Sequence, residues 1–159
     1  MTISRLAFLI VAGVGVADAQ SVVEMAGQGI PSPCPAESFS WGITGVPATG
    51  SAVPLKAQLT ILEVTRQVDR CSPKLFEICA TGTHIPLVTV TLFDSTGRTE
   101  IMQLKLTNVV ISGVHHAAGT VSPTPTETVG FSFAKIEYVY YSSTGPVNAS
   151  YDLTSNTGF

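Results

Sequence analysis

One stretch of the chain carries a complete set of helix-boundary signals, and most of the remaining sequence alternates as strands do. Ser72 can cap a helix, Pro73 fits a first helical turn because it needs no N–H partner there, and Gly82 can adopt the left-handed conformation that ends a helix. A single helix of about two to three turns is unstable in isolation, so it must pack an apolar stripe against the surrounding strands. The residues of this predicted stripe are Leu75, Phe76, Ile78 and Cys79.

The strand pattern predicts a mainly β fold with about seven strands. Apolar and polar residues alternate over the ranges 37–43, 55–65, 88–92, 100–106, 128–141 and 147–155. The apolar parity changes near Thr107 and Asn108, which predicts a bulge or bend, and residues 113–126 are predicted to form a loop. Because no βαβ rhythm is present, we expect an antiparallel β-barrel or two-sheet sandwich with one short flanking α-helix.

Three segments are predicted along the chain. Residues 1–19 combine a charged start, an apolar middle and a small-residue cleavage site, which is typical of a secretory signal peptide; a buried N-terminal helix or an anchor is the alternative. Residues 20–37 form a lead-in segment rich in Pro and Gly, and residues 38–159 form one β-barrel domain. We therefore expect a secreted protein without stable membrane insertion. Eight scattered Lys and Arg residues and a net charge of −3 argue against nucleic-acid binding.

The three cysteines predict one disulfide and one free thiol in an oxidising compartment. Cys34 lies in a Pro-rich loop and Cys71 directly precedes the helix, whereas Cys79 falls on the apolar helix stripe. We therefore predict a bond between Cys34 and Cys71. No zinc-binding Cys or His spacing is present, so no metal is expected.

Few residues suggest chemistry. His115 and His116 are adjacent in the predicted loop, where a solvated pair is favoured over a metal site. His84 follows the helix end and is interpreted as a polar turn residue that can bond the last helix carbonyls. No nucleophile elbow, phosphate loop or paired carboxylates occur, so no catalytic residue and no cofactor are predicted.

The long strand at 128–141 carries most of the tyrosines. Tyr138 and Tyr140 share one face, and Val139 and Tyr141 share the other. We interpret these four residues as candidate subunit contacts, because aromatic residues are enriched at protein interfaces. A sugar-binding platform is the alternative.

Several segments together resemble a known family. They read FSWG at 39–42, SPKLF at 72–76, GTHIP at 82–86, LKLTNVVISGV at 104–114, TETVGFSFAKIEYVY at 126–140 and YDLTSN at 151–156. In this order and spacing they are similar to the haemolysin-coregulated protein family, Hcp, the tube protein of bacterial type VI secretion. The residues that carry the resemblance include Phe39, Trp41, Gly42, Ser72, Pro73, Leu75, Phe76, Gly82, His84, Pro86, Phe131 and Phe133.

The resemblance implies a structural protein, not an enzyme, that assembles with itself into homohexameric rings. In that family the rings stack into a tube and carry secreted effectors, so the implied partners are further copies, effectors and other type VI components. Two features differ from the family pattern, namely the signal-like residues 1–19 and the short loop at 44–54. A secreted β-barrel module that recognises a glycan or a surface protein is the alternative function, and a secreted hydrolase would need a site that the sequence does not reveal.

Overall fold

The computed structural model describes residues 29–31, 34–46, 56–120 and 124–158. The predicted signal peptide, most of the lead-in segment and most of the loop at 44–54 lie outside these ranges. Within them, no helix is long and apolar enough to cross a bilayer. The elements in these ranges are β1 (Ser38–Ser40), β2 (Ile43–Val46), β3 (Lys56–Leu59), β4 (Leu62–Gln67), α1 (Ser72–Thr81), β5 (Ile85–Phe93), β6 (Glu100–Ala117), β7 (Thr126–Ser142), β8 (Gly145–Asp152) and β9 (Thr157–Gly158).

The main sheet is antiparallel and follows the order β1-β4-β7-β6-β5. One edge of β7 serves two partners, since β4 pairs with its first part and β8 with its second, and β9 pairs with β8. Strands β2 and β3 form a separate two-stranded sheet. The prediction of a mainly β, antiparallel fold with one short helix is confirmed. The sheet is not a closed barrel, because no pairing joins β5 to β1 among the described residues.

The strand predicted over 55–65 is wrong in one respect, because a bulge divides it into β3 and β4. Ile43 pairs with Leu59, whereas Ser40 pairs with Glu63, so one extra residue is inserted on the side of β3 and β4. The extra residue reverses the side on which the following residues point. Leu62 is therefore buried, and Ile61, predicted to share the face of Leu59, is 47% exposed.

The loop predicted at 113–126 is also largely wrong. Strand β6 continues to Ala117, and its last residues pair with the start of β7. The register shifts between Ile111 and Gly113. The predicted change of parity lies at Asn108, whose φ of 54° is left-handed. His115 and His116 are thus strand residues held by a long partner strand, which sequence alternation alone did not reveal.

Helix α1 ends as predicted, but its start differs. Gly82 has a φ of 64°, and its N–H donates to the carbonyl of Cys79 at 3.2 Å. Cys71, not Ser72, occupies the N-cap position, and no side chain caps the helix. Pro73 lies in the first turn as expected. Ser72 is instead buried and used in the interior.

The core lies between the helix and one face of the sheet. Leu75 and Ile78 of the helix are buried, but Phe76 is 61% exposed, so its assignment to the apolar stripe was wrong. Phe76 follows Leu75 by one position, which rotates its side chain about 100° away from the buried face. The main strand contributions to the core are Leu62, Val64, Val88, Leu104, Leu106, Val109, Val129 and Phe131.

Candidate assembly surface

The lead-in segment is fixed to the start of the helix by a disulfide. Cys34 and Cys71 are bonded, with their Cα atoms 6.1 Å apart, as the sequence predicted. Both residues are fully buried, and Cys79 is a half-buried free thiol. Residues 34–37 are therefore attached to the folded domain next to the start of the helix.

A buried ionic cluster joins β4 and β7 behind this disulfide. Arg66 and Glu127 are both fully buried and form an ion pair, and Ser72 donates a hydrogen bond to Oε1 of Glu127 at 2.8 Å. Arg66 also contacts Asp69 at 2.5 Å and donates to the carbonyl of Pro35 at 3.0 Å. Two strands, the helix and the lead-in segment thus meet at one charge pair.

Sequence analysis missed this cluster, although a signal was present. Arg66 continues the alternation of Leu62 and Val64, and Glu127 precedes Val129 in the same parity. A charged residue at an inward-facing strand position must be paired, because an isolated buried charge is strongly destabilising. His116 lies at the surface of the cluster, with Nε2 3.0 Å from Oε2 of Glu127.

The tyrosine-rich part of β7 exposes apolar surface on the side of the sheet that carries the core. Tyr138 is 36% exposed and Tyr140 is 46% exposed. Register places Leu92, Met102, Tyr140 and Val147 directly opposite one another across β5, β6, β7 and β8. Directly opposed residues share a face of the sheet. We name these four residues the end row.

The opposite face of β7 is less accessible than its pattern suggested. Val139 is buried, so it does not present the exposed contact that was predicted. Tyr141 is half-buried, and burial, together with the nearby Glu100 carboxylate, raises the pKa of its hydroxyl. Of the four candidate contacts, Tyr138 and Tyr140 are the exposed ones.

The other residues that carry the resemblance described above pack or form hydrogen bonds within the fold. Trp41 packs edge-on against Tyr138 with ring centroids 6.0 Å apart. The backbone N–H of Gly42 donates to Oγ1 of Thr60 at 2.7 Å, which secures the bulge before β4. Phe131 is fully buried, whereas Phe39 and Phe133 pack partly buried against the core.

His84 does not bond the last helix carbonyls. Its Nδ1 lies 2.9 Å from Oδ1 of Asn108, next to the bend of β6. The helix carbonyls are satisfied locally, by Thr81 and by the backbone N–H groups of Gly82 and Thr83. Pro86 is exposed at the start of β5.

Among the described residues, no group of three or more His, Cys, Asp or Glu side chains could hold a metal ion. The perturbed carboxylates lie in turns. The hydroxyl of Thr96 and nearby backbone N–H groups hold the pKa of Asp94 far below its usual range, and Lys135 with two backbone N–H groups lowers the pKa of Asp152 to about 2. Turn hydrogen bonds account for the lowered pKa of Asp94, whereas the contact with Lys135 of β7 is the main cause for Asp152.

Comparison with known proteins assigns the family. The family model described as "Type VI secretion system effector, Hcp" matches residues 31–140. Hcp1 from Salmonella typhimurium has a TM-score of 0.72 at 24% identity, covering 89% of this chain and 99% of that one. A structure described as a type six secretion system protein has a TM-score of 0.75 at 18% identity, covering 89% and 100%.

A type VI secretion system effector from Yersinia pestis has a TM-score of 0.66 at 24% identity, covering 85% of this chain and 99% of that one. At these identities the structural likeness shows the fold, and the family model supplies the assignment. The search of curated proteins finds no match. The chain belongs to the Hcp family of type VI secretion system proteins.

Proposed function

We propose that this protein is a structural tube component of a type VI secretion system that assembles into homohexameric rings. Family membership supports the tube role. The rings are proposed to stack and to carry effectors, and no catalytic role is assigned to any residue. The end row, in which Tyr140 and Val147 are exposed and Leu92 and Met102 are half-buried, is the observation that carries the self-assembly part of the proposal.

The end row is suited to contact between copies. Val147 is 63% exposed and Tyr140 is 46% exposed, although both lie on the side of the sheet that faces the core. Burying such side chains against a neighbour contributes about 25 cal/mol for each Å² removed from water. A ring uses two different patches on each copy, so the end row needs a second surface on the neighbouring copy.

Exposed sheet edges offer that second surface. Strand β5 ends the sheet, and most of β8 has a partner on one side only, among the described residues. Free edges favour pairing with another chain. Leu87 of β5 is 47% exposed, which adds apolar surface beside one of these edges.

The test is the mass and shape of purified protein spanning residues 20–159. Light scattering at micromolar concentration is expected to give a hexamer, and electron micrographs are expected to show annuli. The Tyr140→Ser variant is expected to weaken association by about tenfold or more at each interface, because buried tyrosines are enriched among the few residues that dominate the affinity of an interface. Phe76→Ser, which removes a more exposed aromatic ring from the helix, serves as the control and is expected to leave the mass unchanged.

A strictly monomeric wild-type protein at these concentrations would contradict the proposal. Unchanged assembly of the Tyr140→Ser variant would contradict the placement of the interface at the end row.

A further inference from the structure

Residues 34–37 lie against β4 directly before β1, and we name them the anchored segment. The N–H of Glu37 donates to the carbonyl of Thr65 at 2.9 Å, next to the first residue pair of β1 and β4. The carbonyl of Pro35 accepts a hydrogen bond from Nε of Arg66 at 3.0 Å. The anchored segment therefore contacts both the edge of β4 and its buried arginine.

Few noncovalent contacts hold the anchored segment in place. Besides these two hydrogen bonds, one more joins it to β4 among the described residues, from Nε2 of Gln67 to Oε1 of Glu37 at 2.8 Å, and it is exposed to solvent. Ala36 is buried but small, so it removes little apolar surface from water. Ordering one residue costs backbone entropy at least comparable with the net gain from one hydrogen bond. Three hydrogen bonds are therefore insufficient to order the four residues, and the buried Ile30 lies still further upstream, where more residues must be ordered to place it.

The disulfide supplies the constraint that these contacts lack. Cys71 occupies the N-cap position of α1, and the bond holds the Cα atom of Cys34 6.1 Å from that of Cys71. A covalent link raises the effective concentration of a segment at its binding position. Contacts that are too weak alone therefore form while the bond is intact.

The anchored segment protects a charge and a strand edge. Arg66 and Glu127 are fully buried and paired, and Pro35 supplies the acceptor for Nε of Arg66. Release of the segment removes this acceptor and admits water to the guanidinium group. Release also uncovers the edge of β4 next to β1, and free strand edges favour pairing with another chain.

We propose that the Cys34–Cys71 bond is a redox-sensitive switch, which holds the anchored segment on β4 when oxidised and releases it when reduced. Reduction by a dithiol breaks the S–S bond and adds one electron and one proton to each cysteine sulfur, while the dithiol becomes a disulfide. Disulfides persist outside the cytosol and are reduced within it, so we expect the closed state in the exported chain and the open state before export. The switch lies within one copy and does not depend on ring assembly.

Hydrogen–deuterium exchange of the purified chain, before and after complete reduction with excess dithiothreitol, tests the switch. After reduction, a peptide spanning residues 34–40 is expected to exchange at least about tenfold faster, because its amides no longer lie in a docked segment. A peptide spanning residues 102–111, which pairs with β7, is expected to stay protected over the same labelling time.

Alkylation provides a second measurement. In the reduced and folded protein, iodoacetamide is expected to label Cys34 and Cys71, which are fully buried while the bond is intact. The control is Cys79→Ala, which retains the bond and should respond to dithiothreitol as the wild type does. The double variant Cys34→Ser, Cys71→Ser should show the fast exchange of residues 34–40 without reductant, and dithiothreitol should not change it.

Two results would overturn the proposal. One is a reduced protein in which residues 34–40 stay protected and the two thiols resist alkylation. The other is a reduced protein in which residues 102–111 lose protection together with residues 34–40, since the bond would then stabilise the whole domain without acting as a local switch. If the double variant does not fold, the reduced wild type alone decides between these outcomes.

Discussion

Replacing both Cys34 and Cys71 with alanine is expected to lower the free energy of unfolding by about 4 kcal/mol. The bond closes a loop with a sequence separation of 37 residues. In the chain-entropy model, cross-linking a loop of this length removes conformational entropy from the unfolded state worth about 4 kcal/mol at 25 °C. A domain of this size is typically stable by only about 5–15 kcal/mol, so the loss is a large part of the total.

The structure adds a second contribution in the same direction. Both cysteines are fully buried, beside Ile30 and Ala36 of the same core. Removing the two sulfur atoms leaves unfilled space, which destabilises a packed core further. The segment before β1 should therefore loosen first in the double variant.

Urea unfolding, followed by circular dichroism at one fixed protein concentration, measures the effect. The wild-type protein in excess reductant is expected to lose the loop-closure contribution of about 4 kcal/mol. It should lose less than the double variant, because its two buried sulfur atoms remain in the core. Cys79→Ala is the control, and because this free thiol is half-buried its removal should cost less than about 1 kcal/mol. Thiol titration of the unfolded wild type should detect one free cysteine.

A loss below about 1 kcal/mol in the double variant would refute the loop-closure reasoning. Three reactive thiols in the purified wild type would show that the bond does not form.

Three further predictions concern single residues. Glu127→Gln removes the fully buried charged partner of Arg66 and leaves the partly exposed Asp69 as its remaining carboxylate. It should destabilise the fold by about 2 kcal/mol in urea unfolding, and no measurable loss would contradict the role of the pair. Gly82→Ala should lower the free energy of unfolding by about 1 kcal/mol in thermal unfolding, since the residue has a φ of 64° and an added Cβ meets no other atom. Gly119→Ala, where an added Cβ also meets no other atom, should lower it less. Lys135 and backbone N–H groups lower the pKa of Asp152 from 3.8 to about 2. The stabilisation from this carboxylate is therefore complete above its unfolded pKa of about 4 and is lost as the pH falls through about 2. Asp152→Asn should flatten the plot of stability against pH in that interval, and an unchanged slope would contradict this account.

Most of the fold prediction was based on the alternation of apolar and polar residues in strands and on the residues that mark the ends of the helix. Gly82 ends the helix where the sequence indicated, since few other residues adopt a left-handed conformation without cost. The pairing of Cys34 with Cys71 also followed, because Cys79 lies on the helix itself. The sequence was therefore sufficient for prediction at positions where few residue types can adopt the required backbone conformation or form the required bond.

The errors arose where a partner strand decides the conformation. Alternation alone could not place the extra residue at Ile61, because a bulge is defined by what lies opposite. His115 and His116 belong to a strand because β7 is long enough to pair with them. Phe76 resembled core by composition, but its position on the helix directs it to solvent.

The candidate site was predictable only in part. Tyr138 and Tyr140 were chosen as contacts and are exposed, whereas Val139 is not. The extra residue near Ile61 and the register shift between Ile111 and Gly113 were not located from the sequence.

The long hairpin of β6 and β7 has a mechanical consequence. These strands span 18 and 17 residues and stay paired over almost their whole length. At about 3.4 Å per residue, each is roughly 60 Å long. A force along the strand axis loads all the hydrogen bonds between the two strands together, whereas a force that pulls the strands apart from one end breaks these bonds one after another. A subunit that transmits thrust along this hairpin would resist shear far better than peeling.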